Sequence, residues 1–232
     1  MSSLSDSRFP DPGSRPLRIA VLASGRGTNL QALLDAIADG RLAARIVGVF
    51  SDKCDAPALQ RARDAGVHAE SLAPRDFPNR LAFDLAFFDR VEATQPDLIV
   101  CAGYMRLISE AAIAPRLGRV INIHPSLLPA FKGLRTHAQA LAAGVLEHGA
   151  SVHFVTPALD GGPVIAQARV PVLAGDDVPA LAARVLAREH PLLIGTVGLL
   201  ASGRVALAGD AIALDGRPLA APLQLAANNA FA

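Results

Sequence analysis

Val120-Ile121-Asn122-Ile123-His124-Pro125-Ser126-Leu127-Leu128-Pro129 begins as a strand and breaks abruptly. Val120, Ile121 and Ile123 are β-branched, and such side chains fit a pleated, buried surface. Side chains alternate faces along a strand, so Asn122 and His124 point the same way. Pro125 ends the ladder because it has no N–H to give. It also keeps His124 extended, since the residue before a proline is kept out of the α region. An amide and an imidazole thus sit together at a strand end. The stretch alone leaves two readings open: a satisfied core histidine, or a site.

Upstream, the run from Arg18 to Ala23 is apolar after its first residue, as in a strand buried on both faces. Ser24-Gly25-Arg26-Gly27-Thr28-Asn29 follows, and then Leu30, Leu33, Leu34 and Ile37 mark one helical face. A turn of this kind leaves backbone N–H groups free at a helix N-terminus, where the dipole favours an anion. It is not a dinucleotide fingerprint, because Leu30 stands at the third glycine position, and no Gly-Lys-Ser/Thr follows. A phosphate loop and a turn shaped by its glycines both remain open.

Apolar strands at 45–50, 67–72, 97–103, 120–124, 150–156 and 164–172 alternate with helical patterns at 56–65, 81–94, 110–116, 138–143 and 178–194. Pro191 is expected to kink or interrupt the last of these just after His190. Residues 205–208 and 211–214, around Gly209-Asp210, read as a terminal hairpin. The alternation predicts an α/β fold: a doubly wound, mostly parallel sheet with a C-terminal antiparallel hairpin. Ligands in such sheets bind beyond the C-terminal strand ends. Ser24–Asn29, Met105–Ile108 and Asn122–His124 all lie there. Asp160, before Gly161-Gly162, is explained by turn chemistry alone unless it has a partner.

The 232 residues suit a single domain, expected over 17–218, with a disordered tail at 1–16 and a second tail at 219–232. The net charge is +1 and the basic residues are scattered, which argues against nucleic acid. Cys54 and Cys101, at no metal spacing, suit a reducing compartment. Met1 to Pro16 have no apolar core, and no run approaches a membrane span in length. The expectation is a soluble, cytoplasmic protein, a monomer or weak homodimer, with no nucleic-acid or membrane partner.

Ser24-Gly-Arg-Gly-Thr-Asn-Leu30, Gly103-Tyr-Met-Arg106, Asn122-Ile-His-Pro-Ser-Leu-Leu-Pro129, Lys132-Gly-Leu-Arg-Thr-His137 and Leu159-Asp-Gly-Gly-Pro163 occur together and in order. From Arg18 to about Leu214 the chain resembles the folate-dependent phosphoribosylglycinamide formyltransferases, whose fold is Rossmann-like. The resemblance implies formyl transfer from 10-formyltetrahydrofolate, the co-substrate, to the amine of glycinamide ribonucleotide in purine biosynthesis. It implies that Gly27, Thr28, Asn29 and Glu189 hold the ribonucleotide, with its phosphate at the helix N-terminus. It assigns Arg80, Met105, Arg106, Leu107, Ile108, Asn122, Thr156 and Asp160 to the folate, and Asn122, His124 and Asp160 to catalysis. Arg26 falls at a variable loop position, and the segment before Leu17 is extra.

The implied chemistry is acyl transfer, which needs donors for a developing oxyanion and a group that moves a proton. No metal is expected, since His68, His137, His148 and His153 have no ligand spacing. His153 could support Asp160 from behind. Cys101 reads as a core thiol. Two alternatives share the motifs. One is a hydrolase releasing formate from the same folate, although the segment before Arg18 is short for the regulatory domain such enzymes carry. A tRNA formyltransferase is a weaker variant, since no basic domain follows Leu214. The other is a non-catalytic nucleotide-binding module, which leaves Asn122, His124 and Asp160 unexplained.

Overall fold

The computed structural model describes Phe9 and residues 14–231. The expected N-terminal tail thus lies mostly outside the described residues. Phe9 is buried, and the Arg15 guanidinium grips Asp97 through two hydrogen bonds of 2.6 and 2.7 Å.

The chain opens with β1 (Leu17–Leu22), α1 (Thr28–Ala38), β2 (Ala44–Ser51), α2 (Pro57–Asp64) and β3 (Ala69–Ser71). Then come α3 (Arg80–Ala93), β4 (Leu98–Cys101), α4 (Glu110–Ile113), β5 (Val120–His124) and α5 (Thr136–Ala142). The last elements are β6 (Glu147–Phe154), β7 (Val164–Pro171), α6 (Val178–Ala201), β8 (Val205–Ala208), β9 (Ala211–Leu214), β10 (Arg217–Pro218) and β11 (Leu223–Gln224). The main sheet has eight strands in the order β11-β7-β6-β5-β4-β1-β2-β3. β1 pairs in parallel with both β2 and β4, and β6 alone runs against its neighbours β5 and β7. The chain returns to the middle of the sheet between β1 and β4, and such a reversal opens a crevice at the strand ends. β8, β9 and β10 form a separate antiparallel sheet, so the expected hairpin gains a third strand.

Alternation along each central strand feeds two cores, one on each face. Ile19, Val21, Val100, Ile121 and Ile123 enter the larger core with α1, α2 and α6. Leu22, Ile99, Cys101 and Val120 face the smaller core, filled by Phe83, Phe87 and Phe88 of α3. Asn122 and His124 share the parity of Val120, as the sequence predicts.

Three expectations change. The stretch 219–232, read as a tail, contributes β11, which adds in parallel to β7. Leu223 and Leu225 flank Gln224 and turn to the core, while Arg188 of α6 donates to the Leu225 and Ala226 carbonyls at 3.1 and 2.6 Å. Gly195 makes room for the Phe231 ring: a Cβ there would lie 2.8 Å from it. Second, Pro191 does not interrupt α6, which runs unbroken over 24 residues. Burial of Leu192, Leu193, Val197 and Leu200 outweighs the one backbone bond that the proline forfeits. Third, α4 stops at Ile113 and tightens into a 3-10 turn over Ala114–Arg116, where Pro115 sits.

Leu225→Ala tests the docked C-terminus. Truncating a buried leucine costs about 2–4 kcal/mol, so the midpoint of denaturant unfolding should fall clearly. An unchanged midpoint would mark the segment as dispensable.

Candidate active site

A cavity of about 1320 Å³ opens at the C-terminal ends of β1, β4 and β5. Every residue that the resemblance assigns to a substrate or to catalysis lines it: Gly27, Thr28, Asn29 and Glu189 at one end, Arg80, Met105, Arg106, Leu107, Ile108 and Thr156 at the other, and Asn122, His124 and Asp160 between.

The glycine-rich end is built to present N–H groups. Gly27 is the N-cap of α1, with φ 72° and ψ 31°, a left-handed conformation that L side chains resist. A Cβ there would also sit 2.7 Å from that of Ala58. No side chain caps the helix and no acid lies in its first turn. The Gly25 carbonyl accepts from Ala58 N–H and the Arg26 carbonyl from Arg61 Nε–H, which draws both oxygens toward α2. Asn29 donates through Nδ2 to Glu189 Oε2 at 2.8 Å, which fastens α1 to α6. Burial holds the Glu189 carboxyl above the usual carboxylate range, against the opposing pull of the Asn29 amide, His124 and Arg26.

The other end is apolar and open. Met105, Leu107, Leu134 and Leu159 are large, exposed and grouped on the cavity wall. Such a grouped patch marks a place where an apolar ligand is covered. Arg106 lies over the Phe83 ring at 4.9 Å, and its buried Nε has no hydrogen-bond partner. Arg80 takes the first position of α3, whose N-cap is Asn79.

Between the two ends, register does the positioning. Antiparallel pairing sets Asn122 opposite His153 and His124 opposite Ser151. His153 Nδ1 lies 2.9 Å from the Phe154 carbonyl, which can only accept, so Nδ1 carries the hydrogen. Burial lowers the His153 pKa and keeps the ring neutral, leaving a lone pair on Nε2. Asn122 Nδ2 donates to that lone pair at 3.2 Å. His124 Nε2 donates to the Phe131 carbonyl at 3.0 Å by the same logic, so its Nδ1 faces the cavity.

Asp160 closes the group. Its backbone is left-handed, with φ 43°, a conformation that aspartate tolerates better than most residues. Oδ2 accepts the Gly133 N–H at 2.8 Å and lies 3.6 Å from His124 Nδ1. Oδ1 lies 3.7 Å from His153 Nε2. The neutral His153 makes that second approach a polar gap rather than an ion pair.

The remaining histidines fall elsewhere. His137 lines the cavity and its Nδ1 meets Nε2 of buried His148 at 3.2 Å. Burial pushes His148 down to about 4. Cys101 is buried, and burial pushes its thiol up to about 12, as befits a core residue. Among the described residues, no three His, Cys, Asp or Glu side chains are grouped to hold a metal ion, and no helix is long and apolar enough to cross a membrane.

Sequence reasoning missed part of the lining. Pro179, Ala182, Leu186 and Glu189 descend one face of α6 at helical spacing, so the stripe leading to Glu189 was available. Arg135 lines the cavity from a left-handed backbone, φ 58°, and nothing local signals that.

A family profile described as formyl transferase matches residues 17–197. The phosphoribosylglycinamide formyltransferase of Escherichia coli is 46% identical over 203 residues, 88% of this chain and 96% of that one. The structure of the phosphoribosylglycinamide formyltransferase of Coxiella burnetii superposes with a TM-score of 0.85 at 45% identity, covering 89% of this chain and 97% of the other. A glycinamide ribonucleotide transformylase of Symbiobacterium toebii gives 0.83 at 48% identity, covering 86% and 94%. This chain belongs to the formyl transferase family.

Proposed function

We propose that the chain transfers the formyl group of 10-formyltetrahydrofolate to the amine of glycinamide ribonucleotide, yielding formylglycinamide ribonucleotide for purine biosynthesis. One observation carries the reading: an anion-favouring loop and an open apolar wall share one cavity, with Asn122, His124 and Asp160 at their junction. The ribonucleotide phosphate lies against the free N–H groups at the start of α1, where the helix dipole adds to them. Glu189 and Asn29 accept and donate around the ribose. The folate covers Met105, Leu107 and Ile108, its carboxylate end toward Arg80 and Arg106.

The amine nitrogen attacks the formyl carbon, and the carbonyl π electrons move to oxygen. Asn122 has one Nδ2 hydrogen committed to His153, which turns the second toward the cavity. That hydrogen meets the oxyanion, and His124 offers another through Nδ1 when protonated. The carbon–N10 bond then breaks. One proton leaves the attacking nitrogen and one reaches N10, and Asp160 and His124 handle that exchange. A hydrolase would use water in place of the amine and would not need the ribonucleotide.

Folate absorbance followed with and without glycinamide ribonucleotide tests the reading. Turnover should require the ribonucleotide, and equal rates without it would identify a hydrolase. Losing an oxyanion donor costs about 10²–10³ in rate. Asn122→Ala and His124→Ala should drop kcat by that order with both ligands still bound, as should Asp160→Asn. Near-normal turnover of Asp160→Asn would remove Asp160 from the chemistry.

Glu189 gives a prediction with a sign. A carboxyl whose pKa is raised by folding contributes stability that is complete below its unfolded value and is lost as pH rises through the folded one. Glu189→Gln keeps an acceptor for Asn29 and removes that loss. Its thermal midpoint should exceed the wild type's at pH about 7.5 and converge with it below pH about 4, near the ordinary carboxylate range. Its KM for the ribonucleotide should rise. A midpoint below that of the wild type at neutral pH would contradict the assignment.

A further inference from the structure

Ser24 lies two residues past β1, opens the glycine-rich loop and is buried. Its hydroxyl donates to Asp52 Oδ1 at 2.5 Å and accepts the Met105 N–H at 3.0 Å. Its own N–H donates to the Gly103 carbonyl at 3.0 Å. Asp52, just past β2, is buried as well. β1 lies between β2 and β4, so Ser24 stands where the ends of all three strands meet.

The chemistry of this contact is directional. A serine hydroxyl has one hydrogen, and a carboxylate can only accept it. Asp52 therefore fixes the rotor, which leaves only lone pairs facing Met105 N–H. Gly103, at φ 80°, turns the chain so that this N–H points back at Ser24. On the far side, the next two carbonyls of the glycine-rich loop are tied to α2 through Ala58 and Arg61. Two hydrogen bonds, from Met105 N–H to the Ser24 hydroxyl and from Ser24 N–H to the Gly103 carbonyl, tie the residue that opens the loop to the start of the wall at 105–108.

We propose that Ser24, oriented by Asp52, is a positioning residue that couples the two substrate sites, so that binding of either ligand strengthens binding of the other. The inference rests on the function proposed above, with the ribonucleotide on the loop and the folate on the wall. A ligand that orders one segment lowers the entropic cost of ordering the other, and the gain is reciprocal.

Calorimetry on the full chain measures it. The probe is tetrahydrofolate, which carries no formyl group and cannot react, titrated with and without saturating glycinamide ribonucleotide. A neutral hydrogen bond contributes about 0.5–1.5 kcal/mol, so the wild-type ratio of dissociation constants should be about twofold to twelvefold. Ser24→Ala should bring the ratio close to one and raise KM for both substrates by more than it lowers kcat. Asp52→Asn, which keeps an acceptor for the hydroxyl, should retain most of the ratio, and Asp52→Ala should lose it. Asp52→Ala carries the same test if Ser24→Ala does not fold. A lowered thermal midpoint with an unchanged ratio in Ser24→Ala would overturn the proposal, because a purely structural role predicts that pattern. A ratio of one in a wild type that performs ribonucleotide-dependent transfer would overturn the coupling alone. Absence of that transfer in the wild type would overturn the function and the coupling together.

Discussion

Asn122 faces His153 across two antiparallel strands, and a slip of one residue would turn every polar group on β5 into the larger core. Apolar neighbours forbid that slip. Ile121 and Ile123 belong to one core and Val120 to the other, so the hydrophobic pattern locks the register from both faces. From that register the polar geometry follows step by step. The Phe154 carbonyl selects the His153 tautomer, the tautomer selects which end of the Asn122 amide turns inward, and the same strand delivers His124 two residues on.

Several groups that are unfavourable for stability line the same cavity. Glu189 is a carboxyl held above its usual range by burial. Asn29 keeps a buried oxygen and Arg106 a buried nitrogen, neither with a partner in the protein. Gly27, Arg135 and Asp160 all occupy the left-handed region, the latter two at some conformational cost. Elsewhere, ion pairs such as Arg184 with Asp176 and Arg204 with Asp215 are well made. Ser109 Oγ and His190 Nε2 lack partners away from the cavity as well, so it is the unused polar capacity on the cavity-lining residues that a polar ligand would complete.

Legibility in the sequence followed the range of the interaction. The parity of Asn122 and His124, the glycine-rich turn and the apolar strands are properties of short windows, and they could be read directly. The two-residue strand β11 has no period to detect, and it exists because Leu223 and Leu225 find β7 and Arg188 reaches back from α6. Pro191 reads locally as a break, yet the helix persists because its buried face extends on both sides of the ring. Asp160 looked like a turn residue and is one; its partners, Gly133, His124 and His153, come from three separate segments. Ser24 was legible as the start of the loop, but its contacts were not, since Asp52 and Met105 come from other strand ends.

The same hydrogen-bond accounting narrows the proton question in the proposed reaction. The Phe131 carbonyl can only accept, so His124 keeps its Nε2 hydrogen throughout, and only Nδ1 can gain or lose a proton. Asp160 Oδ2 is engaged by Gly133 N–H, whereas Oδ1 faces the lone pair of His153. That lone pair already accepts from Asn122, so only Oδ1 is left open to a donor, which an attacking amine or a water would bring. In the proposed reaction this would give acceptance at the nucleophile to Asp160 and donation at the leaving nitrogen to His124, since the scaffold has already occupied the other end of each.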